Sequence, residues 1–298
     1  MAEQLCRVGD VELCYETFGD PGDPALLLVM GLGTQMVAWH DDFCGELAGR
    51  GFHVIRFDNR DVGRSSKLRG RPPTLREMLT RRPRNPAYTL DDMADDAAGL
   101  LDELGIEAAH VVGASMGGMI AQQLAVRHPE RVLSLVSIMS TTGGRRVGQA
   151  SYRLYGVLTR RPPSDRDAFA DYFERMYKAI GSPGFPRDEK EVRALALRSY
   201  DRGYNPSGTG RQLAAILASG DRTAGLRGIR VPTLVLHGDA DRLVNPSGGR
   251  ATAAAIPDAR LEVIPGMGHD LPRGAWPRII EGIVQNAART EREPSAAG

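Results

Sequence analysis

Cysteine is scarce in this sequence, and what there is does not suit a disulfide framework. Cys6, Cys14 and Cys44 are odd in number, which argues against the stapled scaffold of a small secreted domain and for free thiols. Cys6 and Cys14 could pair in principle. However, Gly9-Asp10 makes a two-residue hairpin turn that sets Val8 opposite Val11 and Cys6 opposite Leu13, leaving the two thiols out of register on opposite faces. Long apolar runs are also missing. The longest, Ala25–Met30, is strand-sized and far below the roughly 20 residues of a membrane-spanning helix. The opening MAEQLCRVGD has no apolar core of a leader peptide, so a cytoplasmic protein is expected. Neither sign of charge dominates: 38 Lys and Arg face 37 Asp and Glu, for a net charge of +1. Neither a nucleic-acid nor a membrane partner is therefore expected, and the chain is read as a monomer or homodimer. There is no internal repeat.

What is present is an alternation of strands and helices. A hairpin at Gln4–Val8 and Val11–Phe18 leads into a buried strand at Ala25–Met30. A helical pattern through Phe43 and Leu47 precedes a strand at His53–Phe57. Thr89 and Asp92 read as a capping box for a helix carrying Leu90, Met93, Ala97, Leu100, Leu101 and Leu104, stopped by Gly105. Strands at 109–112, Val132–Ile138, Thr233–His237 and Arg260–Ile264 and a last helix at Trp276–Ala288 continue the pattern. It implies a mostly parallel central sheet with helices on both faces. Two segments interrupt it. Lys67–Arg84, rich in Arg and Pro, reads as a solvated loop in preference to an anion-attracting flap. Residues 143–222 read as helical throughout, an insertion after the sixth strand that splits the core into 1–142 and 223–298. Ser164 and Asp167 would cap a helix there whose stripe includes Phe169, Tyr172, Phe173, Met176, Tyr177 and Ile180. Such a stripe either packs on the core or roofs a substrate pocket, with Phe169, Phe173 and Tyr177 the candidate substrate contacts. The tail from Thr290 to Gly298 reads as frayed.

The chemistry is carried by Gly113-Ala114-Ser115-Met116-Gly117, between a β-prone run and a helix that stops at Pro129. A serine set between glycines at a strand-to-helix turn is an exposed nucleophile, and the glycines are needed because a side chain would clash there. Serine requires a base. Of six histidines, His53 and His110 belong to strands and His128 to a helix end. His40 has a loop position, and His237 ends a strand. His269 lies on the glycine-rich loop after the last strand, at the sheet edge where ligands bind. Two carboxylates follow the penultimate strand. Asp239 suits a turn bonded to its own backbone, and Asp241, further out, is assigned to orient His269. Backbone N–H groups of Met116 and of Leu32, in Met30-Gly31-Leu32-Gly33, are the expected oxyanion donors. Gly31 and Gly33 would let that turn approach substrate.

These residues together resemble the α/β-hydrolase superfamily, in the serine-nucleophile subgroup with a helical cap after the sixth strand. The likeness runs nearly the whole length. It includes Phe57-Asp58-Asn59-Arg60-Asp61-Val62-Gly63-Arg64-Ser65, similar to the family's D-x-R-G-x-G-x-S turn with Asp61 in place of a glycine. Met30-Gly31 departs from the family's frequent His-Gly, which touches local packing and not the backbone donor. Val29-Met30-Gly31, the hairpin and Ile264–His269 look similar to the aclacinomycin methylesterase type of anthracycline-tailoring enzyme. The resemblance implies a carboxylic ester hydrolase with a Ser115–His269–Asp241 triad, a small-molecule ester substrate, and no metal or organic cofactor. Lactone hydrolysis, C–C bond hydrolysis, perhydrolysis, lyase activity and a ligand sensor on the same fold stay open. A dinucleotide fold fits poorly, since Ser115 occupies the second glycine of the mimicked G-x-G-x-x-G and no acid follows about twenty residues on. No histidine pair has the helical spacing of a metal hydrolase.

Overall fold

The computed structural model describes residues 2–154, 156, 160 and 162–290; most of the expected frayed tail lies outside them. The strands are β1 (Gln4–Val8), β2 (Val11–Phe18), β3 (Ala25–Val29), β4 (His53–Phe57), β5 (Ala109–Ala114), β6 (Val132–Ile138), β7 (Thr233–Gly238) and β8 (Arg260–Ile264). They form one sheet in the order β1-β2-β4-β3-β5-β6-β7-β8. The β1–β2 and β2–β4 pairs are antiparallel and the rest parallel. The hairpin has the expected register, Val8 opposite Val11 and Cys6 opposite Leu13, so Cys6 and Cys14 stay free thiols. Burial pushes the thiols of Cys14 and Cys44 up to about 12, which makes both poor nucleophiles.

Helices α1 (Asp41–Ala48), α2 (Leu75–Thr80), α3 (Leu90–Glu103) and α4 (Met116–Arg127) occupy the first half of the chain. After β6 come α5 (Arg166–Ile180), α6 (Glu189–Gly203), α7 (Pro206–Ser219) and the short α8 (Thr223–Leu226). Helices α9 (Ser247–Ala255) and α10 (Trp276–Ala287) flank β8. Phe43, Leu47, Trp276, Ile279, Ile280 and Ile283 of α1 and α10 pack on one face of the sheet. On the other, Leu90, Met93 and Leu101 of α3 and Met119, Ile120 and Leu124 of α4 pack against Leu27, Val29 and Val111. Strand β3 is apolar throughout and β5 is apolar apart from His110, as befits parallel central strands covered on both faces.

Three local readings are corrected. The solvated loop contains α2, closed by a full capping box in which Thr74 accepts from the Glu77 N–H and Glu77 accepts from the Thr74 N–H; the T-x-x-E signal was legible within the basic run. Helix α5 is capped by Asp165, which accepts from the Ala168 N–H at 2.8 Å, and not by Ser164 or Asp167. Asp165 alone combines an extended backbone with a carboxylate reaching the first turn. The insertion is also not helical throughout, because residues 143–151 and 181–188 are turns and irregular chain. Its two ends meet where Arg222 N–H donates to Thr142 O at 2.9 Å.

His110 is buried on β5 with Nδ1 2.9 Å from Ser134 Oγ, and burial pushes its pKa down from 6.5 to about 4. Above about pH 6.5 both folded and unfolded chains hold this ring neutral. As pH falls from 6.5 towards 4 the unfolded chain takes the proton first, so stability is lost across that window. Urea unfolding between pH 7 and pH 4 is expected to show a shallower loss in His110→Gln than in the wild type. Equal slopes would contradict it.

Candidate active site

The sheet reverses its winding at β3, with β4 on one side and β5 on the other. The carboxyl ends at such a reversal form a crevice, and the turn after β3 meets the turn after β5 there. The second turn is forced by two close approaches. A Cβ on Gly113 would lie 2.1 Å from Gly117 O, and one on Gly117 would lie 2.0 Å from Val29 O. With the helix pressed this tightly on the strands, Ser115 takes φ 58° and ψ −119°. That left-handed conformation costs a non-glycine residue on the order of 1–3 kcal/mol. Its peptide is pinned on both sides: Ser115 N–H donates to Ile138 O at 2.9 Å, and Ser140 Oγ donates to Ser115 O at 2.8 Å.

The structure brings Ser115, His269 and Asp241 into one chain of hydrogen bonds. His269 Nε2 is 2.9 Å from Ser115 Oγ, and His269 Nδ1 is 2.7 Å from Asp241 Oδ2. Asp241 is almost fully buried, and its other oxygen accepts from the N–H groups of Leu243 and Val244, both at 2.9 Å. Burial opposes its charge, but the His269 ring and the bonds from His237 and His269 hold the carboxyl well below the usual range. It is an anion placed to fix the ring's tautomer. Asp239 stays exposed and accepts from Gly266 N–H at 2.7 Å, so it ties the loops after β7 and β8 together instead of closing a turn on itself. The histidine loop is also held by the insertion: His269 N–H donates to Ile180 O at the end of α5, at 2.8 Å.

Met116 and Leu32, the expected oxyanion donors, lie on the turns after β5 and β3. Met116 is the first residue of α4, where N–H groups lack intrahelical partners. Gly31 packs so close to the nucleophile that a Cβ there would stand 3.1 Å from Ser115 Cβ. Leu32 N–H has no protein acceptor among the described residues, whereas Gly33 N–H donates to Gln212 Oε1 at 2.8 Å. A cavity of about 2170 Å³ opens in front of these groups. Gly31, Leu32, Gly33, Ser115, Met116 and His269 line it from the core, and Phe169, Phe173 and Tyr177 from α5. The α5 rings are graded in a row, Phe169 to Phe173 at 5.9 Å and Phe173 to Tyr177 at 4.6 Å between centroids. Met30, where a histidine was the alternative, is buried in the core.

A serine, an imidazole and a buried carboxylate in this order can transfer an acyl group from an ester. The sequence model for the alpha/beta hydrolase fold matches residues 24–272. The chain belongs to the α/β-hydrolase family. Among its relatives, the rhodomycin D methylesterase DauP of Streptomyces sp. is 29% identical over 293 residues, covering 91% of this chain and 93% of that protein. The 3-oxoadipate enol-lactonase 2 of Acinetobacter baylyi is 29% identical over 259 residues, covering 86% and 85% of the two chains. Among solved structures, the enol-lactonase of Burkholderia xenovorans LB400 superposes with a TM-score of 0.70 at 25% identity, over 95% of this chain and 99% of that one.

Two histidines set aside in the sequence contribute around this α/β-hydrolase site. His237 lies fully buried beside the acid, 3.4 Å from Asp241 Oδ2, with Nε2 2.8 Å from Val244 O. Its strand-end position, one turn before Asp241, was the available signal. His40 caps α1 by accepting from Asp42 N–H at 3.1 Å and meets Glu191 of α6 at 2.8 Å. Among the described residues no group of three or more His, Cys, Asp or Glu side chains is arranged to hold a metal ion. None of the helices there is long and apolar enough to cross a membrane.

The strain at residue 115 is measurable. Glycine tolerates that backbone and alanine does not, so Ser115→Gly is expected to be more stable than Ser115→Ala by about 1 kcal/mol in urea unfolding. The reverse order would mean that the turn is not strained.

Proposed function

We propose that this α/β hydrolase cleaves carboxylic esters through an acyl-enzyme on Ser115. The observation that carries the reading is the bonded order Ser115 Oγ, His269, Asp241, at 2.9 and 2.7 Å. His269 Nε2 takes the Ser115 proton as Oγ attacks the ester carbonyl. Asp241 holds the ring and stabilises its positive charge. The N–H groups of Leu32 and Met116 receive the tetrahedral oxyanion. His269 then gives its proton to the leaving alkoxide, and the alcohol departs. Water enters, loses a proton to His269 and attacks the acyl carbon. The second intermediate collapses by returning the proton to Ser115 Oγ, and the acid is released.

In this reading residues 143–222 form a cap, and Phe169, Phe173 and Tyr177 contact the acid portion of the substrate. The cavity of about 2170 Å³ exceeds the roughly 300–1,000 Å³ of an ordinary small-ligand site. With the methylesterase relatives, it favours a methyl ester of a polycyclic apolar compound. A lactone is an ester whose alcohol stays tethered, and the enol-lactonase relatives make it the second substrate class. The three free thiols suit the reducing cytoplasm.

A p-nitrophenyl ester should release a burst of p-nitrophenol equal to the enzyme present, followed by slower turnover. Ser115→Ala should abolish both phases, and unchanged hydrolysis by that variant would overturn the proposal. Asp241→Asn should keep substrate affinity and lower kcat by roughly 10⁴-fold, as expected when the ring loses its orienting anion. A panel of methyl esters, lactones and vinylogous diketones separates the substrate classes. Diketone cleavage without ester turnover would replace the esterase by a C–C hydrolase.

A further inference from the structure

The turn that supplies the Leu32 N–H is not held by the core alone. Gln212 of α7 is fully buried and bridges two loops. Its Oε1 accepts from Gly33 N–H at 2.8 Å, and its Nε2 donates to Arg60 O at 2.8 Å. Thr209, one turn earlier on α7, packs so closely on Gly33 that a Cβ there would lie 2.6 Å from Thr209 Oγ1. The neighbouring Arg211 anchors the helix. Its guanidinium meets both carboxylate oxygens of Asp61, at 2.8 and 2.6 Å, and also donates to Gly70 O. Asp61 is fully buried at φ 75°, a backbone that favours glycine. It also accepts from Tyr88 Oη at 2.7 Å and Leu68 N–H at 2.9 Å. The departure from glycine at position 61 thus provides the partner that fixes α7.

We infer that Gln212 is a positioning residue for the oxyanion hole, seated by the Asp61–Arg211 pair. Adjacent N–H groups in a tight turn compete for the same acceptor. By engaging Gly33 N–H, Gln212 fixes the turn's peptide planes so that Leu32 N–H is the donor left facing Ser115. The hole is then complete only while α7 is docked, which couples the chemistry to the seating of the insertion. The inference rests on the ester-hydrolase reading above and adds that a residue outside the core sets its transition-state donor.

Gln212→Met keeps the side chain's length and removes both hydrogen-bonding groups. With a p-nitrophenyl ester, kcat is expected to fall roughly ten- to a hundredfold, the scale of a misplaced donor, while KM changes less than about twofold. Affinity for an alkyl trifluoromethyl ketone, whose adduct with Ser115 carries an oxyanion, should fall in parallel. Affinity for the corresponding alcohol should not. Equal losses for ketone and alcohol, or a loss of thermal stability with kcat intact, would overturn the inference. Amide exchange in the wild-type protein gives a reading that needs no variant: Gly33 should be protected and Leu32 fast, and an unprotected Gly33 would overturn the inference. A wild-type protein that neither turns over esters nor captures the ketone would refute the esterase reading, and amide exchange would then decide this inference by itself.

Discussion

The contact on which the site depends is the one between β5 and α4. Gly113 and Gly117 remove the two side chains that would hold strand and helix apart, and the chain between them has only one way to turn. That turn places Ser115 in a left-handed conformation and lifts its hydroxyl off the end of the sheet. It also aims the first N–H groups of α4 at the same space. One packing constraint therefore presents the Ser115 hydroxyl and a backbone donor together. It does so at the point where the sheet reverses its winding, so that the β3 turn arrives alongside.

The partners come from the far side of the sheet. His269 and Asp241 sit on loops after β8 and β7, and these loops are tied to each other by Asp239 and to the insertion by Ile180. The buried Asp241 is charged because two backbone N–H groups and two histidines compensate for its lost hydration. Such an anion is costly to leave without partners, which makes the imidazole's position well determined. The insertion contributes on the opposite side as well, through Gln212 at the turn after β3. Both the His269 loop and the turn after β3 are thus braced by a segment that also lines the cavity.

Much of this was readable in the residues, for identifiable reasons. The strands and the hairpin register followed from alternation and from Gly9-Asp10, because one-residue slips would turn apolar faces outward. Ser115, His269 and Asp241 were legible because each falls at a strand end flanked by glycine or turn residues. The less regular stretches were harder. Helix α2 was hidden by the arginines around it, although Thr74 and Glu77 carried a capping signal. The cap of α5 was placed one residue off on one side and two on the other, since Ser164, Asp165 and Asp167 can all cap in principle and only the backbone decides. The contacts of Gln212 and Asp61 join residues up to 179 positions apart, which no local pattern encodes.

The account turns on a covalent intermediate at one atom, and that intermediate can be weighed. Acid quenching during turnover of a slow ester, followed by digestion and mass spectrometry, should find the acyl group on the peptide bearing Ser115. The wild-type peptide should gain the acyl mass, and the Ser115→Ala peptide should not. Sustained hydrolysis with that peptide unmodified at every quench time, or with the acyl group on another residue, would contradict the account.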